Sequence, residues 1–164
     1  IADRLIVLDG WSKTYAMTGW RLGWSVWPKS IVGDAERLAI NCHSCVNAAA
    51  QWAGIAALEG PQDSVDAMGR AFAERRRIIV DGLNAIKGVR CVEPGGAFYA
   101  FPNITGTGIG ARKLQDRFLE EAGVATIAGT AFGAFGEGYL RFSYANSADN
   151  IREALRRIGS VLEQ

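Results

Sequence analysis

Near its N-terminus the chain carries Arg4-Leu5-Ile6-Val7-Leu8-Asp9, a nearly continuous apolar run ended by Gly10. A run of this kind is the pattern of a strand buried on both faces, as in a parallel sheet, and such a strand needs a neighbour on each side. Only one further candidate strand precedes the helical region, the stretch from Arg21 to Trp27 stopped by Pro28. The sheet holding the first strand is therefore expected to be incomplete within this chain. The sequence opens on Ile1 just ahead of that run, so the chain is expected to begin inside a longer protein.

From Pro28 to Leu58 the composition turns to Ala, Leu and Glu at helical spacing, which predicts two helices broken around Asn41 to Val46. A long helix follows Gly60-Pro61, with Val65, Met68, Phe72, Ile79, Leu83 and Ile86 on one stripe and Arg75-Arg76-Arg77 mostly facing away. Beyond Gly88, strands are predicted at Arg90 to Val92, Ala97 to Phe101, Val124 to Ile127 and Tyr139 to Tyr144. Helices are predicted from Ala111 to Ala122 and from an N-cap at Ser147, the last burying Ile151, Leu155, Ile158 and Leu162. The plan is α/β, with a remnant of a larger sheet in residues 1–60 and a helix leading into a small α+β domain in residues 61–164.

With 49% hydrophobic residues and aromatics that include 5 Trp and 7 Phe, the chain has material for a core. Eighteen Lys and Arg against 17 Asp and Glu leave a net charge of +1, which lacks the basic footprint of nucleic-acid or anionic-membrane binding. No apolar stretch approaches the roughly 20 residues of a membrane span, and Ile1-Ala2-Asp3-Arg4 is no signal peptide, so a cytoplasmic location is expected. Three Cys favour reduced thiols. Cys42-His43-Ser44-Cys45 has zinc-like spacing but lacks a second ligand pair, and no metal is expected. Gly106-Thr107-Gly108-Ile109-Gly110 lacks the strand-before, helix-after context of a dinucleotide loop.

The segment from Gly10 to Trp20 joins two strand-like pieces without a helical repeat, and a loop of that length between strands invites a functional role. Lys13 sits there among Trp11, Tyr15, Met17 and Trp20, a setting that suits an amine able to attack a carbonyl. The bland alternative is a lysine snorkelling from a loop. Arg141, in the middle of Tyr139-Leu140-Arg141-Phe142, has to point somewhere polar, toward either an internal acid in an edge-strand salt bridge or a ligand carboxylate.

Three separated motifs, in order, resemble the class I/II aminotransferases, pyridoxal-phosphate enzymes of fold type I. The first is Gly10-Trp11-Ser12-Lys13-Thr14-Tyr15-Ala16-Met17-Thr18-Gly19-Trp20-Arg21-Leu22-Gly23, similar to the family's lysine signature. The others are Pro94-Gly95-Gly96-Ala97-Phe98-Tyr99-Ala100-Phe101-Pro102, and Gly129-Thr130-Ala131-Phe132-Gly133 followed by Gly138-Tyr139-Leu140-Arg141-Phe142-Ser143-Tyr144-Ala145. The resemblance implies that this is the C-terminal portion of such an enzyme. It implies amino-group transfer between an amino acid and a 2-oxo acid, pyridoxal 5'-phosphate as cofactor, and a homodimer for the full-length protein. Lys13 would form the Schiff base with the cofactor and carry the proton from the substrate Cα, Arg21 would pair with the cofactor phosphate, and Ser12 would add a hydroxyl nearby. Arg141 would clamp the substrate carboxylate, and Phe98 would stand on the substrate side. Asp9 does not occupy the position of the family's pyridine acid. A related lyase or decarboxylase activity, or a folded part that is active only with the rest of the enzyme, remain the alternatives.

Overall fold

The computed structural model describes residues 1–163. They fall into two compact units, Ile1–Ala67 and the stretch from Met68 onward.

In the first unit, β1 (Val7–Gly10) pairs with β2 (Gly23–Val26) in antiparallel register, Val7 opposite Val26 and Gly10 opposite Gly23. Its one neighbour among the described residues thus runs antiparallel, and the sheet is incomplete within this chain, as expected. Leu5, Ile6, Val7 and Leu8 are all exposed, as are Trp24 and Val26 on the partner strand. A run of apolar side chains records how thoroughly a strand is meant to be covered, but it carries no information about the direction of its neighbour. Two helices follow, α1 (Val32–His43) and α2 (Ala48–Glu59). The break between them is fixed by Asn47, whose side chain caps α2 by accepting from the Ala50 amide at 3.1 Å. Gly54 of α2 lets the strand-joining loop approach closely. An added Cβ there would lie 2.5 Å from Leu22 Cδ2, and the Gly54 carbonyl accepts a hydrogen bond from Trp11 Nε1 at 3.1 Å.

The second unit holds the hydrophobic core. The long helix α3 (Asp63–Asn84) contributes Ile79, Val80 and Leu83. Helix α4 (Ala111–Ala122) contributes Leu114 and Phe118, and α5 (Ala148–Leu162) contributes Ile151, Ile158 and Val161. Burying residues such as Phe118, 1% exposed, stabilises the unit by about 1.5–3 kcal/mol per side chain. Three short antiparallel strands complete it in the order β3 (Tyr99–Ala100), β5 (Leu140–Ser143), β4 (Ile127–Ala128). Alternation assigns their faces: Ala100, Ala128, Leu140 and Phe142 are buried, while Tyr99, Ile127 and Ser143 are exposed and Arg141 half-buried on the opposite face.

Several strand and face expectations are corrected. Arg90 to Val92 is not a strand; only Arg90 forms a bridge, with Asn103. The next strand begins at Tyr99 because Ala97 turns the chain at a φ of 61°. Val124 belongs to the end of α4, where Gly123 at a φ of 65° lets the Val124 amide donate to the Phe118 carbonyl at 2.9 Å, so β4 starts only at Ile127. In the arginine triplet, Arg75 lies over the Phe72 ring at 5.2 Å and Arg76 pairs with Glu93 at 3.1 Å, leaving Arg77 exposed. Long arginine stems cover apolar surface while their heads find charge, and a helical wheel does not show this. On α5, Val161 takes a buried place, whereas Leu155 and Leu162 are only partly buried.

Among the described residues, no helix is long and apolar enough to cross a membrane.

Candidate functional site

Ser12, Lys13 and Arg21 lie together on the loop between β1 and β2. A turn opens it, with the Tyr15 amide donating to the Trp11 carbonyl at 3.2 Å and the Ala16 amide to the Lys13 carbonyl at 3.2 Å. A 3₁₀ turn over Thr18–Trp20 closes it. Buried Met17 and Leu22 anchor the loop. Ala16 and Arg21 hold φ values of 54° and 53°, left-handed conformations that cost a non-glycine residue of order 1 kcal/mol or more and persist only where the surroundings enforce them. Lys13 is exposed on this turn, not enclosed by the neighbouring aromatics as its sequence context suggested, and Ser12 is half-buried. Arg21 is exposed and donates one hydrogen bond, from Nη1 to the Thr18 carbonyl at 3.3 Å. Among the described residues it has no carboxylate partner. Asp9 acts locally, its Oδ1 accepting from the Gly10 amide at 2.7 Å.

Arg141 stands on the open face of the second unit's sheet. Its strand is the central one, so the edge-strand salt bridge is excluded on topology, and among the described residues Arg141 pairs with no carboxylate. Two aromatic rings accompany it instead, Tyr99 at 4.5 Å and Phe132 at 4.8 Å from its guanidinium carbon. Phe98 is placed differently. Its ring is partly buried against the core, 6.1 Å from Phe72 and 4.6 Å from Tyr99.

The Pro94–Pro102 motif is tied to β5 by Tyr144, 1% exposed, whose hydroxyl donates to the Ala97 carbonyl at 3.0 Å and whose amide donates to the Phe98 carbonyl at 2.9 Å. Burial pushes the Tyr144 phenol above its ordinary pKa, so it serves as a neutral donor. The Gly129–Gly133 motif is shaped by a close backbone approach: a Cβ on Gly129 would overlap the Gly136 carbonyl, and only glycine at both positions allows the turn that carries Phe132.

Tyr99 and Phe132 are the site neighbours that sequence reasoning missed. Both lie inside the family-like motifs, and the signal for Tyr99 was the alternation that puts it on the same face as Arg141. Among the described residues, no group of three or more His, Cys, Asp and Glu is placed to hold a metal ion. Cys42 and Cys45 are exposed free thiols, and burial raises the pKa of Cys91.

A mixed α/β chain with a lysine-bearing loop between strands and an unpaired arginine on a separate small sheet has the make-up of part of a fold-type-I enzyme. Residues 2–158 match the family Aminotransferase class I and II, and the chain belongs to that family. It is 43% identical over 163 residues to an aspartate aminotransferase of Pyrococcus horikoshii, covering 98% of this chain and 42% of that protein. The crystal structure of an aromatic aminotransferase from Pyrococcus horikoshii OT3 superposes with a TM-score of 0.94 at 38% identity, over 98% of this chain and 43% of that one. The aspartate aminotransferase of Rhizobium meliloti gives a TM-score of 0.92 at 35% identity, over 99% and 42%. The chain thus spans about 42% of the length of the curated relatives it matches.

Proposed function

We propose that the protein containing this chain is a pyridoxal-phosphate-dependent aminotransferase that moves an amino group between an amino acid and a 2-oxo acid. The observation that carries this reading is Arg141, a guanidinium on an open sheet face with aromatic rings beside it and, among the described residues, no acid paired with it. A charge in that setting is stabilised when a ligand carboxylate pairs with its fork of donors.

The loop residues fit the cofactor by the chemistry of their donors. Lys13 offers a primary amine to an aldehyde, Arg21 offers to a phosphate a guanidinium engaged only by the Thr18 carbonyl, and Ser12 adds a hydroxyl. Bound pyridoxal phosphate supplies an electron sink for the charge left at the substrate Cα. Lys13 would hold the cofactor through its amine and would carry the substrate Cα proton on its Nζ. Arg141 fixes the carboxylate so that the Cα–H bond is held for removal. Phe98 stays the weaker candidate for the substrate side, its ring 6.1 Å from Phe72 and 4.6 Å from Tyr99.

Borohydride reduction of the cofactor-loaded full-length protein, followed by peptide mapping, is expected to recover the pyridoxyl group on Lys13. Label on Lys29, Lys87 or Lys113 instead would sink the assignment.

The 164-residue chain by itself is expected to lack transaminase activity. Its first unit exposes Leu5, Leu8, Trp20, Trp24 and Val26, a surface of the kind that finds a partner, so self-association through residues 1–27 is also expected. Sedimentation together with a coupled assay at saturating pyridoxal phosphate checks both points. A well-behaved monomer that turns over amino acids would refute them.

A further inference from the structure

The surroundings of Arg141 are more organised than carboxylate binding alone requires. Tyr99 comes from β3, and Phe132 from the 3₁₀ turn Gly129–Phe132 that follows β4. Both keep their rings near the guanidinium, and neither belongs to the hydrophobic core of the second unit. Each is propped from a second side. Phe132 meets Phe101 edge-on at 6.2 Å, and Phe101 in turn stacks on Tyr139 at 5.2 Å with 6° between planes. Tyr99 rests against Phe98 at 4.6 Å.

A cation over an aromatic ring is attracted by the ring quadrupole without consuming a conventional hydrogen bond. The guanidinium donors are confined to its plane, so rings that hold the charge still leave donors available to a ligand. Without such contacts, a half-buried arginine with no carboxylate partner would sample many rotamers and lose entropy on meeting its ligand.

We propose that Tyr99 and Phe132 are positioning residues that hold the Arg141 guanidinium ready to receive the substrate α-carboxylate. This rests on the reading of Arg141 as the carboxylate ligand. Phe132 is the more informative of the two to change, because it lies on a turn and is not part of the hydrophobic core of the second unit.

The test uses the full-length protein loaded with cofactor. Phe132→Leu keeps an apolar side chain but removes the quadrupole, whereas Phe132→Tyr keeps the ring. Phe132→Leu is expected to raise the KM for the amino acid by about three- to tenfold, with kcat moving much less. The dissociation constant of propionate, a carboxylate with no amino group to react, should rise to match, and that of neutral propionamide should not. Phe132→Tyr should stay close to the parent. If Leu has no effect, or Tyr is as harmful as Leu, ring electrostatics is not what holds Arg141 and the proposal is overturned.

Replacing Phe132 by progressively fluorinated phenylalanines weakens the quadrupole at nearly constant shape. A graded rise in the propionate constant supports the proposal even if the Leu variant misfolds, and a flat response overturns it. Arg141→Gln separates the two levels of the reading. If it fails to erase the preference for propionate over propionamide, both the carboxylate role and the positioning role fall. If it erases that preference while the Phe132 series is silent, only the positioning role falls.

Discussion

Replacing Lys13 by alanine in the full-length protein is expected to lower turnover by about 10⁴-fold or more while leaving the fold intact. Two losses coincide in that variant. A general base acting on the Cα proton contributes about 10²–10⁴-fold. Removal of the group that also forms the covalent link to the cofactor takes away a second contribution, and residues that serve one reaction centre lose activity steeply when any one is deleted. The fold is expected to be spared because the loop is held by backbone hydrogen bonds and by buried Met17 and Leu22. Lys13→Arg is the sharper control. It keeps the positive charge but offers no nucleophilic amine, so it should be as inactive as the alanine variant, and a small primary amine such as ethylamine added to Lys13→Ala should restore part of the lost rate. The checks are single-turnover kinetics with an amino acid and a thermal melt of each variant. Retention of a tenth or more of the parent rate by Lys13→Ala, at an unchanged melting midpoint, would show that another group carries the chemistry.

The lysine-bearing segment was legible as a loop between two strands because it lacks a helical repeat over residues 10–20. The pairing of the strands around it was not. A run such as Leu5 to Leu8 reports burial intended on both faces, but its only neighbour in this chain is the antiparallel β2, and the exposed faces are a property of what else packs there. Helices α4 and α5 were read nearly to the residue, since a 3.6-residue period with an N-cap at Ser147 is local information. The short strands were not, because Ala97 and Val124 are recruited by turn and helix-end geometry that overrides their strand-like composition. Aromatic neighbours of Arg141 were the least visible part of the site. Phe98 and Tyr99 are adjacent in sequence yet do different work, one packing on the core and the other lying over the guanidinium, and a one-residue difference in a strand changes the face on which a side chain lies.

The two arginines are expected to separate cleanly when each is removed from the full-length protein. Arg141→Ala should weaken the half-reaction with an amino acid by about 2–5 kcal/mol, the range for truncating one member of a hydrogen-bonded charge pair, with cofactor affinity little changed. Arg21→Ala should do the reverse, raising the dissociation constant of pyridoxal phosphate and leaving amino-acid affinity near the parent value once cofactor is saturating. The reasoning is one of location. Arg21 shares the β1–β2 loop with Lys13 in the first unit, and among the described residues its guanidinium has no carboxylate partner. Arg141 belongs to the second unit, on the open face of its three-stranded sheet. Because Arg141 is half-buried between aromatic contacts, its removal frees no trapped acid, and the loss should be read almost wholly in ligand binding and not in stability. Equilibrium titration of each apo variant with pyridoxal phosphate, followed by single-turnover measurements with an amino acid and with its decarboxylated amine, distinguishes the roles. The amine lacks the carboxylate, so it should react equally with parent and Arg141→Ala. Equal loss of cofactor by both variants, or a deficit of Arg141→Ala that persists with the amine, would refute the division of labour.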